Sequence, residues 1–247
     1  MDIYGLIGNP LGHSFSASFF AEKFSREGID ARYMNFEISD VKCLLDVVAE
    51  HPGLRGLNVT IPYKQAVIPL LDSLSDGARA IGAVNVIRVL RDGRQVRLEG
   101  HNSDVIGFSR SISPLLQPGH RRALVLGTGG AARAVHHGLR GLGIEPVAVS
   151  RRPGTDMLTY ADLTPSVLAA HTVVVNCSPV GMYPRVDEAP DIPYHLLTPD
   201  HLLYDLVYNP LETEFLRRGK ERGAVVKNGL EMLHLQALAA WEIWQEA

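Results

Sequence analysis

The chain of 247 residues is 46% hydrophobic and 21% charged, with 24 Lys and Arg against 27 Asp and Glu and a formal charge of −3. That length allows one large or two modest domains with real cores, domains of about 100–150 residues being commonest, and two α/β lobes is the first expectation. No Lys/Arg run exceeds two residues and no apolar run approaches the roughly 20 residues of a membrane span, which argues against nucleic-acid or membrane partners and favours small-molecule chemistry.

Asp2 stands where a signal peptide carries basic residues, so a soluble, cytoplasmic protein is expected. Cys43 and Cys177 lie far apart and match no metal-ligand spacing. They read as small buried side chains in a reducing compartment, with no metal site.

In chain order, the apolar run IYGLIG (residues 3–8) predicts a strand closed by Gly8-Asn9-Pro10. Phe19, Phe20 and Phe24 then recur at helical spacing, and Gly28 stops that helix. ARYMNFEI alternates as a strand does. Val41, Leu44, Leu45 and Val48 form a helical stripe ended by His51-Pro52-Gly53. LRGLNVTI is the next strand, breaking at Pro62 ahead of Lys64. A helix is expected through AVIPLLDSL (66–74), followed by a hairpin of AVNVIRVL and QVRLEG about Asp92-Gly93. A new unit begins near Asp104 with a connecting helix. Further strands are predicted at TVVVNC (172–177), HLLYDLVY (201–208) and AVVKNG (224–229), suited to a parallel sheet covered on both faces, and the tail from Leu230 is a helix.

Residues 121–154 carry a denser signal. The apolar ALVL runs into Gly127-Thr128-Gly129-Gly130-Ala131-Ala132 and opens a helix, with a second strand behind it, the context that a dinucleotide fingerprint requires. Glycine backbone lets a pyrophosphate approach amide N–H groups at the positive end of the helix. Such a turn alone is only a tight turn; strand before and helix after make it a cofactor site. About 20 residues past the glycines an NAD site usually carries an acid for the ribose 2′-hydroxyl. Here Ser150-Arg151-Arg152 occupies that place, and two guanidiniums suit a 2′-phosphate, so NADP is the expected cofactor.

The N-terminal half holds polar groups where open α/β sheets build sites: Ser14 and Ser16, Asn58 with Thr60 and Lys64, Asn85, and Asn102 with Asp104. Each has an ordinary reading, Ser14, Ser16 or Asp104 as a helix N-cap, Asn85 as a turn former and Lys64 as a surface residue. Together they describe a pocket for a small polyhydroxylated molecule.

With these stretches in hand the sequence resembles the shikimate dehydrogenase family. GNPLGHSFS, NVTIPYK, GAVNV, GHNSD, GTGGAARA, NCSPVGM, YDLVYNPLET and NGLEMLHLQA run through the chain in the family's order. The resemblance implies an α/β protein of two lobes: an N-terminal substrate-binding domain (1–103), a C-terminal Rossmann-like NADP-binding domain (104–227), and a C-terminal helix (228–247) returning to the first lobe. It places the substrate carboxylate on Ser14 and Ser16 and the ring hydroxyls on Thr60, Lys64, Asn85 and Asp104, and adds Tyr208 and Gln236 as substrate ligands. On the cofactor side it implies Gly127, Thr128, Gly129, Gly130, Ala131, Ser150, Arg151, Arg152, Leu206 and Gly229. Departures are mild: Ala17-Ser18 where many members carry Pro with a nearby His-Asn pair, Ser103 in the usual Asn-Thr-Asp, and Cys177-Ser178-Pro179 for the common Ala-Thr-Ser.

The implied reaction is reversible NADPH-dependent reduction of 3-dehydroshikimate to shikimate, by a monomer or homodimer. A developing alkoxide needs a proton donor and positive charge, and Lys64 offers both, with Asp104 as its partner. The alternatives are a quinate/shikimate dehydrogenase of broader substrate or NAD use, and a non-catalytic NADP sensor, against which the retained lysine and aspartate argue.

Overall fold

The computed structural model describes residues 1–12, 15–93 and 95–246, and the chain divides into two units, Met1–Ser103 with Ala237–Ala247 and Asp104–Gln236. Among the described residues no helix is long and apolar enough to cross a membrane.

The first unit is built from β1 (Asp2–Gly8), α1 (Phe15–Glu27), β2 (Ala31–Glu37), α2 (Leu44–Glu50), β3 (Leu54–Val59), α3 (Tyr63–Ala66), β4 (Ser73–Leu74), α4 (Asp76–Ile81), β5 (Val86–Asp92) and β6 (Gln95–His101). Its sheet has the order β2-β1-β3-β5-β6-β4; β1 pairs parallel with β2 and β3, whereas β3, β5 and β6 pair antiparallel. The alternation read in the sequence sorts side chains to two faces. Ile3, Ile7, Leu57, Ile87 and Val89 pack with Leu44 and Val48 of α2 on one face. Tyr4 and Val86 pack with Phe20 and Phe24 of α1 on the other. Each fully buried Ile or Leu in that first cluster contributes roughly 1.5–3 kcal/mol of transfer free energy.

Two local expectations need correction. Residues 66–74 do not form one helix: after a 3-10 turn over Ile68–Leu70 the chain becomes β4. Pro69 breaks the helical ladder, and Asp72 binds Leu98 twice, its amide donating at 2.9 Å and its carboxylate accepting at 2.7 Å, which holds the segment extended beside β6. The helix that does follow, α4, starts where Ser75 Oγ accepts from the Ala78 amide at 3.2 Å and ends at Gly82, whose φ of 67° only glycine adopts easily.

The second unit runs α5 (Asp104–Ile112), β7 (Arg122–Leu126), α6 (Gly130–Gly141), β8 (Glu145–Ser150), β9 (Met157–Thr159), α7 (Pro165–Ala170), β10 (Val173–Asn176), β11 (Leu202–Asp205), α8 (Glu214–Glu221), β12 (Val225–Lys227) and α9 (Leu230–Gln245). Its six strands are ordered β12-β11-β10-β7-β8-β9, and every pair is parallel. Both faces are covered, as expected for such a sheet. Val125, Val175 and Tyr204 pack with Phe108 of α5 and Val135 of α6, while Leu124, Val174 and Leu203 pack with Leu168 of α7 and Phe215 of α8. The chain leaves β7 toward β8 on one side and returns through β10 on the other, so the β7/β10 junction is the switch point where such sheets bind ligands.

The strand expected over residues 201–208 is shorter, Leu202–Asp205. The Val207 amide turns back to the Asp205 carboxylate at 3.0 Å instead of continuing the ladder. The second boundary between the units falls within α9, after Gln236. From Ala237 onward the helix joins the first unit, where Ala237, Ala240, Ile243 and Trp244 pack among Tyr4, Phe20 and Phe24. Trp244 Nε1 donates to the Ile87 carbonyl at 3.1 Å, and its ring lies so close over Gly56 that a Cβ there would overlap the indole.

Candidate active site

In the first unit the polar residues gather around the carboxyl ends of β1 and β3. The loop after β1 is tied down by the Asn9 side-chain amide donating to the Ile38 carbonyl at 3.2 Å and by the Leu11 amide donating to the Glu37 carboxylate at 2.8 Å. Ser14 lies outside the described residues. Ser16 is the second residue of α1, half-buried, and so sits inside the helix rather than at its cap.

Thr60 follows β3, its amide donating to the Ile7 carbonyl at 2.9 Å, and its methyl covers Gly8, where there is no room for a Cβ. Lys64, read from sequence as lying beyond a broken strand, stands in the single helical turn α3. That turn is anchored at both sides: the Tyr63 hydroxyl donates to the Ile38 carbonyl at 2.6 Å, and the Val84 amide donates to the Lys64 carbonyl at 2.7 Å. Lys64 is half-buried. Asn85 is buried, its side-chain oxygen accepting from the Ser103 amide at 2.7 Å and its NH2 donating to Ser103 Oγ at 3.0 Å. Asn102 is buried too, donating to the Ala83 carbonyl at 2.9 Å.

In the second unit Asp104 is the first residue of α5, where the helix dipole favours an anion, and it is 5% exposed. Gly107, one turn further, lies against Gln236: a Cβ there would stand 2.9 Å from the Gln236 amide nitrogen. Gln236 donates through Nε2 to the Leu233 carbonyl at 3.0 Å, and Tyr208 is half-buried in the loop after β11.

The glycine turn joins β7 to α6 as its pattern predicts. Gly127 has φ 123°, where a Cβ would press on the Cys177 backbone at 3.3 Å, and Gly129 precedes the first turn of α6 with open space on its Cβ side. Thr128 is exposed, and Gly130 and Ala131 begin the helix. At the end of β8, Ser150 Oγ accepts from the Arg152 amide at 3.2 Å, and Arg151 and Arg152 are both exposed. Leu206 and Gly229 are held together, the Gly229 amide donating to the Val207 carbonyl at 3.1 Å, and a Cβ on Gly229 would collide with the Leu206 carbonyl. Open glycine backbone at a helix N-terminus, with two exposed guanidiniums at the next strand end, fits a dinucleotide carrying an extra phosphate.

Two features went unread in the sequence. Tyr33 of β2 donates to Asn58 Oδ1 at 2.7 Å. Asp205, fully buried, accepts from Thr213, Asn176 and the Val207 amide, and burial pushes its carboxyl up to about 6. An acid inside the apolar run LLYDLVY was the available signal for Asp205. Cys177 follows Asn176, one of the partners of Asp205. Burial, then the fields of Asp205 and Asp104, push its thiol well above the ordinary range, so it stays protonated and weakly nucleophilic.

Comparison with known proteins decides the family. A shikimate dehydrogenase (NADP(+)) of Desulforamulus reducens is 36% identical over 263 residues, covering 98% of this chain and 89% of the relative. The chain belongs to the shikimate dehydrogenase family. The family model for the shikimate dehydrogenase substrate binding domain matches residues 6–87, a span from β1 into β5 that contains Ser14, Ser16, Thr60, Lys64 and Asn85. A shikimate dehydrogenase (NADP(+)) of Geobacillus kaustophilus is also 36% identical, covering 98% of this chain and 92% of its own. Among solved structures, shikimate 5-dehydrogenase from Thermus thermophilus, in complex with NADP(H) and shikimate, superposes with a TM-score of 0.86 at 31% identity, covering 99% of this chain and 94% of that one. The family fold is thus an α/β protein of two domains.

Proposed function

We propose that the chain is an NADP-dependent shikimate dehydrogenase that reversibly reduces 3-dehydroshikimate to shikimate in chorismate and aromatic amino-acid biosynthesis. The observation that carries the reading in this molecule is the end of β8, where Ser150 is followed by two exposed arginines and no acid, on a chain that aligns nearly end to end with NADP(+) enzymes. An NAD ribose would leave both guanidiniums without a partner.

In this reading residues 1–103 bind the substrate, residues 104–227 bind NADP, and the last helix completes the substrate side. Gly127 to Ala131 receive the pyrophosphate, Ser150, Arg151 and Arg152 hold the 2′-phosphate end, and Leu206 with Gly229 supports the nicotinamide. Bound NADPH supplies the hydride that adds to the 3-keto carbon. Lys64 hands a proton to the oxygen as its negative charge grows, and in the reverse direction takes it back. Asp104 orients the Lys64 ammonium and accepts from a ring hydroxyl. Thr60 and Asn85 hold the remaining hydroxyls, Ser14 and Ser16 the carboxylate, and Tyr208 and Gln236 contact the substrate. The Ser103 bonds to both ends of the Asn85 amide fix its orientation, which favours recognition of one hydroxyl pattern. The setting is the cytoplasm, and the scheme works for a monomer or a homodimer alike.

The test is absorbance at the nicotinamide band with shikimate or quinate against NADP or NAD. Turnover of shikimate with NADP is expected. Equal turnover of quinate or NAD would favour a broader quinate/shikimate dehydrogenase, and silence in every pairing would leave an NADP-binding protein without this activity.

A further inference from the structure

Gln236 is carried by α9, and a substrate ligand on a helix is only as well placed as the helix itself. α9 lies against α5 at Gly107, where a Cβ would stand 2.7 Å from the Met232 carbonyl and 2.9 Å from the Gln236 amide nitrogen. Glycine lets the two backbones approach, but a contact made without a side chain has no ridge to seat in a groove and resists sliding poorly. The apolar neighbours Phe108, Ile112 and Met232 add burial, which has no direction. One residue of slip along a helix is about 1.5 Å of rise and about 100° of turn, enough to take Gln236 away from a ligand.

A directional chain ties the two helices in one position. The Tyr204 hydroxyl of β11 donates to Ser111 Oγ of α5 at 2.9 Å, and Ser111 donates to the Glu231 carboxylate of α9 at 3.1 Å. Lys227 of β12, the register partner of Tyr204, pairs with that same carboxylate oxygen at 2.6 Å. Tyr204 and Ser111 are buried, and the edge-on ring of Phe108 at 5.2 Å steadies the phenol. Both hydroxyl protons point one way, toward the carboxylate, so each bond polarises the next. Ser111 lies one turn beyond Gly107 and two turns beyond Asp104, on the same face of α5.

We propose that Glu231 is a positioning residue for substrate binding: through Ser111 it sets where α9 sits along α5, and so where Gln236 is presented to the substrate. The inference rests on the functional reading above, which gives Gln236 its contact with the substrate. A carboxylate suits the task because one oxygen takes both donors, a buried hydroxyl from a helix and an ammonium from the sheet. Stability is not its main contribution. A serine inside a helix has a second acceptor in the carbonyl four residues back, here that of Gly107, so loss of Glu231 strands no buried donor.

The test is the steady-state kinetics of Glu231→Ala and Glu231→Gln beside their thermal unfolding. Glu231→Ala should raise KM for shikimate about fivefold to tenfold, the worth of one hydrogen bond, with kcat and KM for NADP within about twofold and melting temperature nearly unchanged. Glu231→Gln keeps an oxygen for Ser111 and should recover most of the loss. Two further variants separate positioning from general damage. Ser111→Ala should copy the rise in KM, and in a Gln236→Ala background Glu231→Ala should add almost nothing. An unmoved KM for shikimate in Glu231→Ala, a Glu231→Gln as impaired as Glu231→Ala, an unaffected Ser111→Ala, or a full penalty without Gln236 overturns the inference. A wild-type chain that turns over no shikimate removes the functional reading and this inference with it, and a Gln236→Ala variant of unchanged KM removes the place of Gln236 in that reading and this inference with it. An active wild type and an impaired Gln236→Ala beside an unaffected Glu231→Ala remove this inference alone.

Discussion

Asn176, the last residue of β10, donates a 3.0 Å hydrogen bond to the carboxylate of Asp205, the last residue of β11 and its register partner across the sheet. Thr213 closes the other side of that carboxylate, its hydroxyl donating at 2.5 Å, and the Val207 amide donates at 3.0 Å. The acid thus gathers the chain after β10 and β11, next to the switch point of the sheet. Its replacement by Asn is expected to be tolerated, because an amide oxygen still accepts from Asn176 and Val207 and the NH2 can donate to Thr213. Asp205→Ala should destabilise the fold by about 2–4 kcal/mol in denaturant unfolding, since three buried donors lose their acceptor.

The same carboxyl predicts a pH dependence. Its folded value of about 6 lies above the roughly 3.9 of an unfolded aspartate. Between those values the folded chain holds a proton that the unfolded chain has released. The stability contributed by this group is therefore full below about pH 4, falls by about 2–3 kcal/mol as pH rises to 6, and is level above. Urea unfolding of wild type and Asp205→Asn at pH 4.5 and 7 should show wild type losing stability relative to the variant on the way up. Parallel profiles would contradict it.

Lys64→Ala should lower kcat with shikimate by roughly 10²–10⁴-fold while KM changes much less, the signature of a lost acid–base group. Near-normal turnover would remove Lys64 from the proton transfer.

In the proposed reading, replacing Arg151 and Arg152 together by Ala should raise KM for NADP about tenfold to a hundredfold and leave turnover with NAD, whatever its level, unchanged, because only the 2′-phosphate would lose charged donors. A matching loss with both cofactors would assign the arginines to something other than that phosphate.

Gly56→Ala tests the seat of α9. The added methyl would overlap the Trp244 indole, so overpacking of about 1–3 kcal/mol is expected, read as a lower melting temperature.

What the sequence made legible follows from the range of the forces involved. The β7–glycine–α6 turn and its two arginines were readable because strand, turn and helix are local and each leaves a periodic or compositional mark. The β5–β6 hairpin was readable for the same reason. Residues 66–74 misled because their apolar spacing is helical, while what holds them extended is the pairing of Asp72 with Leu98, remote in sequence. Tyr33 was invisible, since a tyrosine in an alternating edge strand looks like packing until the fold brings its hydroxyl to Asn58. Lys64 carries no local mark of reactivity; the other hydroxyl and amide clusters together with the family pattern singled it out.

The split of the first unit into residues 1–103 and 237–247 has a consequence for how the molecule is made. During synthesis the segment that supplies Ala240, Ile243 and Trp244 leaves the ribosome only after the entire second unit has emerged. Until then Tyr4, Phe20 and Phe24 wait with one wall of their cluster missing. The unit translated first is thus the last to be finished, and the second unit, an uninterrupted stretch of chain, is free to fold ahead of it.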